Sequence, residues 1–367
     1  MKTAAKGKAL VIGFPGSYAC CLIEELARQP EREVVFLCPH GLMPPARIWT
    51  EQLRKRGGGI EILEGEPFTI DFGLPGVEWK KLAEETELIF HFYPPSNPRA
   101  RVRGALTETL ELAEAAPRFT RAVFLSLFSS SVNRFGRDPG NDPASGDSAE
   151  SPWARSAAAV EKILASRGSR LPWTVLRCGV PALLNPTFMP GKSTCTLDAV
   201  LQVLILLHCQ VDIKTLKKIA SRHMPFTPAE KLAEAARILA GSSEAAGEVL
   251  DVFYDDGLDI SLIRRIIDSV VTGKRVAGER FTTLCRKLGP KLLEQLLGDI
   301  PPLGLLGVAS SQGALPNERT GDLLQRHSVA VPSIRNILPE AIEVSLKNLE
   351  ESIRLLRSRE EVADSLE

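Results

Sequence analysis

The stretch Lys8-Ala-Leu-Val-Ile-Gly13-Phe-Pro-Gly16-Ser-Tyr-Ala19 decides the fold of this chain. Its first half is a short and continuous apolar run, which predicts a buried β-strand rather than an amphipathic helix. Two glycines follow, and Ser17 then opens a helical pattern that stops near Pro30. The stretch therefore predicts a strand, a glycine turn and a helix in direct succession.

This succession is typical of sites that bind phosphate groups. Gly13 permits the tight turn, Gly16 lets the backbone approach a phosphate, and the N-terminus of the helix offers N–H groups to the anion. A glycine turn that only redirects the chain has the same pattern, so both interpretations stay open at this point. The residues predicted to contact a nucleotide here are Gly13, Phe14, Pro15, Gly16, Ser17 and Tyr18.

Apolar runs and amphipathic stretches alternate through the first half of the chain. The runs predicted as strands begin near Ala9, Val34, Ile60, Leu88, Ala122 and Trp173. The helices predicted between them span residues 17–28, 46–56, 77–84, 101–115 and 152–166. This alternation predicts an α/β fold, with a doubly wound parallel sheet, helices on both faces and right-handed crossovers.

The glycine spacing and several later stretches resemble the extended branch of the short-chain dehydrogenase/reductase superfamily, which includes sugar-nucleotide epimerases and thioester or fatty-acyl reductases. These later stretches are residues 61–66, 73–74, 88–91, 123–126 and 152–162. The resemblance spans roughly residues 8–342 and implies a Rossmann-like fold with NAD or NADP as the cofactor. It also implies that Glu66, in place of the family's aspartate, contacts the adenine, and that Pro94 lies beside the dinucleotide.

The same resemblance implies a reaction for which this chain lacks the expected side chains. In the family, a tyrosine moves a proton while nicotinamide moves a hydride, and a lysine four positions later lowers the tyrosine pKa from about 10. The matching positions hold Trp153, whose indole N–H is neither acid nor base, and Ala157. Ala105 stands where a relay asparagine is expected, so no catalytic residue is identified. The candidates for the family's serine are Ser129, Ser130 and Ser131, which a polar strand end explains equally well.

The expected contacts to the cofactor are uneven along the chain. Pro15 has no N–H for a phosphate, and residues 36–40 offer neither an acid for a ribose hydroxyl nor an arginine for a 2′-phosphate. Arg47 is the candidate for the second role. The bulky residues 93–95 are expected to narrow the channel for the dinucleotide. The sequence therefore does not choose between NAD and NADP.

We expect two interleaved domains and a C-terminal helix. Residues 1–185 are predicted to form the Rossmann-type domain, and residues 186–337 a smaller, mostly helical subdomain for a substrate or partner. Residues 248–254 within it have strand character and are expected to return to the sheet. Residues 338–367 carry an apolar stripe that either packs on its own domain or makes a contact in a homodimer.

Composition excludes several classes of partner and site. The 367 residues include 45 acidic and 45 basic ones, which leaves no electrostatic footprint for nucleic acid. The five histidines show no paired ligand spacing, so no metal site is expected. The longest apolar stretch, residues 197–207, is too short to span a bilayer, and no signal core precedes Ala9. Together with seven cysteines and no Cys-x-x-Cys pair, these features indicate a cytoplasmic protein.

Three functions fit the sequence, because fold alone does not decide function. The first is a protein that has lost tyrosine-based hydride transfer and uses the inherited cleft to bind a dinucleotide, a small ligand or a partner protein. The second is an active NAD(P)H-dependent oxidoreductase, of the acyl-thioester or carbonyl reductase kind, with a non-standard proton donor. The third is a non-redox lyase or cyclase that acts in the same cleft.

Overall fold

A parallel sheet of seven strands organises the computed structural model of the chain. The structure describes residues 7–29, 32–55, 57, 59–93, 99–127, 152–167, 171–182, 223–224, 226–252, 258–259, 265, 318–327, 329, 338–339 and 342–343. Its strands are β1 (Lys8–Ile12), β2 (Glu33–Cys38), β3 (Ile60–Glu64), β4 (Thr86–His91), β5 (Arg121–Leu127), β6 (Trp173–Cys178), β7 (Val180–Ala182), β8 (His223–Met224), β9 (Phe226–Pro228), β10 (Glu248–Val252) and β11 (Leu258–Asp259).

The strand order in the main sheet is β10-β6-β5-β4-β1-β2-β3, and every neighbouring pair is parallel. The predicted parallel sheet is therefore confirmed at all six strands that the alternation indicated. From β3 to β6 the order is that of the Rossmann fold, whose ligands bind beyond the C-terminal ends of the strands where the order reverses. In this chain the reversal lies between β1 and β4.

Helices follow the strands as the alternation predicts, with ends that differ by a few residues. They are α1 (Ser17–Ala27), α2 (Met43–Arg54), α3 (Gly76–Glu85), α4 (Arg99–Ala115), α5 (Pro152–Arg167), α6 (Ala229–Ala240) and α7 (Glu318–Arg326). Short 3-10 helices are present at His40–Leu42 and Ser243–Ala245, and Ile70–Gly73 is a tight turn in which Asp71 and Phe72 have non-helical backbone angles. Helix α2 begins three residues earlier than predicted, because proline is well tolerated in the first turn of a helix.

Both faces of the sheet are buried, and β1 shows how one apolar run serves both. Ala9 and Val11 belong to the hydrophobic cluster that includes residues of α1, α2 and α6. Leu10 and Ile12 belong to the opposite cluster, with residues of α3, α4 and α5. Side chains alternate between the faces of a strand, so a strand covered on both sides is apolar throughout. This explains why β1 reads as a continuous apolar run.

The chain divides into two compact units. The first consists of Met1–Ser193, Thr227–Phe253 and Leu315–Val331, and it contains the whole seven-stranded sheet. The second consists of Thr194–Phe226, Tyr254–Ala314 and Pro332–Glu367, where β8 and β11 pair antiparallel. Most of the predicted C-terminal helix and the apolar stretch 197–207 lie outside the described residues. Within the described ranges, none of the helices has the length and apolar character that crossing a membrane requires.

Candidate functional site

The glycine turn lies at the C-terminal edge of the sheet, at the reversal between β1 and β4. The Gly16 amide donates to the Gly13 carbonyl over 2.8 Å and closes the turn before α1. Gly13 has a φ of 131°, and a Cβ there would lie 2.5 Å from the carbonyl carbon of Phe92. Phe92 is itself fixed, because its amide donates to the carbonyl of Ile12 over 2.7 Å. Packing against the residue after β4 therefore requires a glycine at position 13, whatever ligand the turn binds.

The two residues between the glycines differ in their surroundings. The Phe14 side chain is 4% exposed, and its ring centroid lies 5.0 Å from that of Phe36 and 5.8 Å from that of Trp49. Pro15 follows a cis peptide bond and, like Gly16, is half-buried. Phe14 therefore packs between β2 and α2, so any contact with a ligand would come from its backbone.

Ser17 and Tyr18 form the buried first turn of α1. The Tyr18 hydroxyl donates to the carbonyl of Gly179, which follows β6, over 3.1 Å. The neighbouring Thr227 hydroxyl accepts a bond from the Gly179 amide over 2.8 Å and donates to the Val252 carbonyl over 2.6 Å. The structure thus gives the Tyr18 side chain a role in tying α1 to the strand ends, which the sequence pattern did not indicate.

The end of β2 carries no carboxylate, as the sequence indicates, but a carboxylate lies on the next strand. Cys38 ends β2 with a buried side chain, and the exposed imidazole of His40 pairs with the carboxylate of Glu64 at the end of β3. The hydrogen bond and charge of Glu64 raise the pKa of His40 above its usual value.

Arg47, the candidate for a 2′-phosphate, is exposed on α2. It lines an open cleft of about 320 Å³, together with Met43, Thr50, Glu51, Arg54, Glu61 and Ile62. The turn residues 13–18 do not line this cleft. The role predicted for Arg47 stays a prediction.

Glu66 and Tyr93 lie close enough at the C-terminal edge to influence each other electrostatically. Burial raises the pKa of Tyr93, the Arg101 guanidinium lowers it, and the Glu66 carboxylate raises it further. The Arg101 guanidinium also lies 4.7 Å from the centroid of the Phe68 ring. Pro94 lies outside the described residues. The described part of this edge therefore combines a half-buried carboxylate, a cation and two aromatic rings.

His91, at the end of β4, is a buried neutral imidazole. Its Nδ1 lies 2.9 Å from the Thr109 hydroxyl, which donates to the carbonyl of Ala105 over 2.7 Å, so Nδ1 carries the proton. Burial lowers the pKa of His91 to about 3. The imidazolium form of His91 is therefore scarce near neutrality. Ala105 is fully buried on α4.

Helix α5 follows β5, where the resemblance places the catalytic helix. The side chains of Trp153 and Ala157, and residues 129–131 after β5, lie outside the described residues. One turn beyond Ala157, Glu161 makes two hydrogen bonds to Arg177 on β6, at 2.9 and 2.7 Å. Glu161 also accepts a bond of 2.7 Å from the hydroxyl of Ser126 on β5.

This network fixes α5 on the sheet. Asp251 on β10 adds a second carboxylate 3.7 Å from Arg177, and the side chains of Glu161, Arg177 and Asp251 are 11–12% exposed. The residues of this network are far apart in the chain, so the sequence pattern did not indicate that they interact.

Replacing Glu161 with glutamine should lower the free energy of unfolding by about 2 kcal/mol, because a buried charged hydrogen-bond pair loses one charge while Asp251 still balances Arg177. Urea unfolding measures this. The matched control is Glu234→Gln, which breaks the half-exposed pair with Lys231 and should change stability by less than about 0.5 kcal/mol. Equal effects of the two variants would contradict the structural role of the network.

Metal and thiol chemistry receive no support from the described part of the chain. There, no group of three or more His, Cys, Asp or Glu side chains is placed to hold a metal ion. The described cysteines, Cys20, Cys21, Cys38 and Cys178, are reduced and buried. Burial raises the pKa of Cys38 and of Cys178 to about 12, so both thiols stay protonated near neutrality.

Solved structures with the same fold cover almost the whole chain. The terminal R domain from the myxalamid PKS-NRPS biosynthetic pathway has a TM-score of 0.65 and 20% identity, over 94% of this chain and 92% of that one. The reductase domain of a nonribosomal peptide synthetase from Mycobacterium tuberculosis has a TM-score of 0.64 and 16% identity, over the same shares. UDP-glucuronic acid 4-epimerase from Bacillus cereus, solved with UDP-glucuronic acid and NAD, has a TM-score of 0.57 and 15% identity, over 94% and 99%.

At these identities the similarity establishes the fold. No protein-family model and no curated protein sequence matches the chain. The chain has the Rossmann-like fold that these reductase domains and this epimerase share, which is the fold that the sequence resemblance implies.

Proposed function

We propose that the protein binds a nucleotide, NAD or NADP in the first instance, at the C-terminal edge of its sheet and does not perform tyrosine-based hydride transfer. The observation that carries the binding is the glycine turn between β1 and α1 at the strand-order reversal. The loss of the reaction rests on Trp153 and Ala157, which stand in the sequence where a tyrosine and a lysine are needed.

The described residues fit a dinucleotide at two points. Gly16 leaves the N-terminus of α1 without a side chain in front of it, and a helix N-terminus favours a phosphate. Glu66, half-buried near Tyr93, supports recognition of a base at the other end. Residues 13–17 would hold the pyrophosphate and Glu66 the adenine. A nicotinamide bound here would supply hydride chemistry, for which we assign no proton donor.

Replacing Gly16 with valine should lower the affinity for NADH, NADPH and ADP-ribose at least tenfold. Gly16 has φ −57° and ψ 142°, which valine also adopts, so the variant should fold while its side chain blocks the phosphate. Titration calorimetry measures the affinity. The control is Gly41→Val, in the short 3-10 helix after β2, where a side chain has open space and the affinity should not change. Unchanged affinity in Gly16→Val would exclude this phosphate position, whereas a parent protein that binds none of the three compounds would exclude the proposed nucleotide site.

A second candidate is an active NAD(P)H-dependent reductase with a non-standard proton donor. The observation in its favour is that several solved structures of this fold are reductase domains. The hydride-transfer assay described in the Discussion separates it from the first proposal. A non-redox lyase or cyclase in the same cleft would also remain silent in that assay.

Three further features belong to the proposal. The cleft would accept a small ligand or a partner protein if it binds no nucleotide.

The apolar stripe of residues 338–367 would form a homodimer contact if it is not covered by its own chain. A cytoplasmic location is supported by the four described cysteines, which are reduced.

A further inference from the structure

The loop between β3 and α3 contains three consecutive residues in the left-handed region. Asp71 has a φ of 53°, Phe72 of 57° and Gly73 of 71°. Side chains of L-residues crowd the backbone in this conformation, so two adjacent non-glycine residues adopt it only where other contacts hold them.

Those contacts come from within the loop and from α4. The Phe72 side chain is fully buried, and the Phe72 amide donates to the Thr69 carbonyl over 2.8 Å. The Leu74 amide donates to the Asp71 carbonyl over 3.0 Å. The Asp71 amide donates over 2.8 Å to Oε2 of Glu108, which lies 37 residues further along the chain. Glu108 therefore supplies the external anchor of the left-handed turn.

The left-handed turn 71–73 fixes the backbone of the segment that contains Glu66. The Phe72 carbonyl accepts a bond of 2.8 Å from the Glu66 amide. A Cβ at Gly65 would lie 2.5 Å from the same carbonyl oxygen, so only glycine allows this approach. The Gly65 amide continues the ladder beyond β2 with a 3.0 Å bond to the Cys38 carbonyl. The position of the Glu66 backbone thus depends on where the Phe72 carbonyl points.

Helix α4 contacts the loop through residues on one face. Arg101 lies over the ring of Phe68, and a Cβ at Gly104 would lie 3.2 Å from the Phe68 carbonyl oxygen. Glu108 is four residues after Gly104 and completes a row at helical spacing. The loop is therefore held at Phe68 by packing and at Asp71 by a charged acceptor.

We propose that Glu108 is a positioning residue for the ligand site. It anchors the left-handed turn 71–73, and through the Phe72 carbonyl the turn aims the Glu66 carboxylate at the base of a bound nucleotide. This rests on the proposed function, because it assumes that a purine base with an amino group, such as adenine, lies at this end of the edge. Replacing Glu108 would therefore weaken the binding of the adenine end of a dinucleotide and leave the binding of its nicotinamide end unchanged.

The test compares Glu108→Ala with Glu108→Gln, in which an amide oxygen still accepts the Asp71 bond. Amide hydrogen exchange of residues 66–74 measures the anchor without any ligand. We expect exchange at Asp71 to rise about tenfold in Glu108→Ala, as expected for the loss of one hydrogen bond to a charged acceptor, and to stay near the parent value in Glu108→Gln. The control is Glu111→Ala, an exposed carboxylate of the same helix, which should leave exchange unchanged. If Glu108→Ala does not fold, adding Asp71→Gly should restore folding, because glycine adopts the left-handed conformation without strain.

Calorimetry with ADP-ribose and with nicotinamide mononucleotide then tests the positioning. Glu108→Ala should lose about tenfold in affinity for ADP-ribose and none for nicotinamide mononucleotide, and Glu108→Gln should recover the ADP-ribose affinity. An equal amide exchange rate at Asp71 in the parent and in Glu108→Ala would show that Glu108 does not anchor the turn. An equal loss of affinity for ADP-ribose and for nicotinamide mononucleotide would contradict the positioning role. A parent protein without nucleotide affinity would contradict the proposed function, while the exchange measurement would still decide the anchor.

Discussion

Replacing Gly13 with alanine should lower the free energy of unfolding by about 4 kcal/mol or more, a large part of the roughly 5–15 kcal/mol that stabilises a typical domain. The added Cβ would overlap the Phe92 backbone. That backbone cannot withdraw without breaking the bond from the Phe92 amide to the Ile12 carbonyl. In addition, a φ of 131° is a conformation that alanine rarely adopts.

Urea unfolding of the variant beside Gly41→Ala checks this expectation. Gly41 has open space where a side chain would project and no positive φ, so its replacement should change stability by less than about 0.5 kcal/mol. A Gly13→Ala protein with parental stability would contradict the packing between the glycine turn and the residue after β4.

Local sequence patterns predicted the sheet because each strand carries its own signal. The apolar runs at β1 and β4 are continuous because both faces of the sheet are buried. The helices between the strands show helical periodicity because each buries only one of its faces. The position of the glycine turn at the C-terminal edge follows from the same order of elements. All six predicted strands are parallel neighbours in one sheet.

The side chains of the site could not be placed in the same way, because their positions depend on contacts between distant parts of the chain. Nothing in the spacing around Tyr18 indicates that its hydroxyl binds the carbonyl of Gly179. The left-handed conformation of Phe72 is not a preference of phenylalanine and exists because the core holds the ring. The partner of Asp71 is Glu108 on another helix, and no local pattern links the two.

The second large effect concerns the reaction itself. We expect the protein to reduce carbonyl compounds and acyl thioesters about a hundred- to ten-thousand-fold more slowly than enzymes with the tyrosine and lysine, because general acid–base catalysis contributes about that factor. The indole of a tryptophan such as Trp153 is neither an acid nor a base near neutrality, and Ala157 carries no charge. Of the described groups near the C-terminal edge, His91 has a pKa of about 3 and supplies no proton near neutrality.

The decisive experiment is the oxidation of NADH and NADPH by the parent protein and by the double variant Trp153→Tyr, Ala157→Lys, with a panel of aldehydes, ketones and acyl thioesters. Calorimetric titration of both proteins with each nucleotide provides the control for binding. We expect the parent to bind a nucleotide and oxidise it about a hundred- to ten-thousand-fold more slowly than enzymes with the tyrosine and lysine, and the double variant, which carries both side chains, to oxidise it faster than the parent. Rapid turnover by the parent protein would contradict the proposed loss of hydride transfer and establish the protein as an active reductase with a different proton donor.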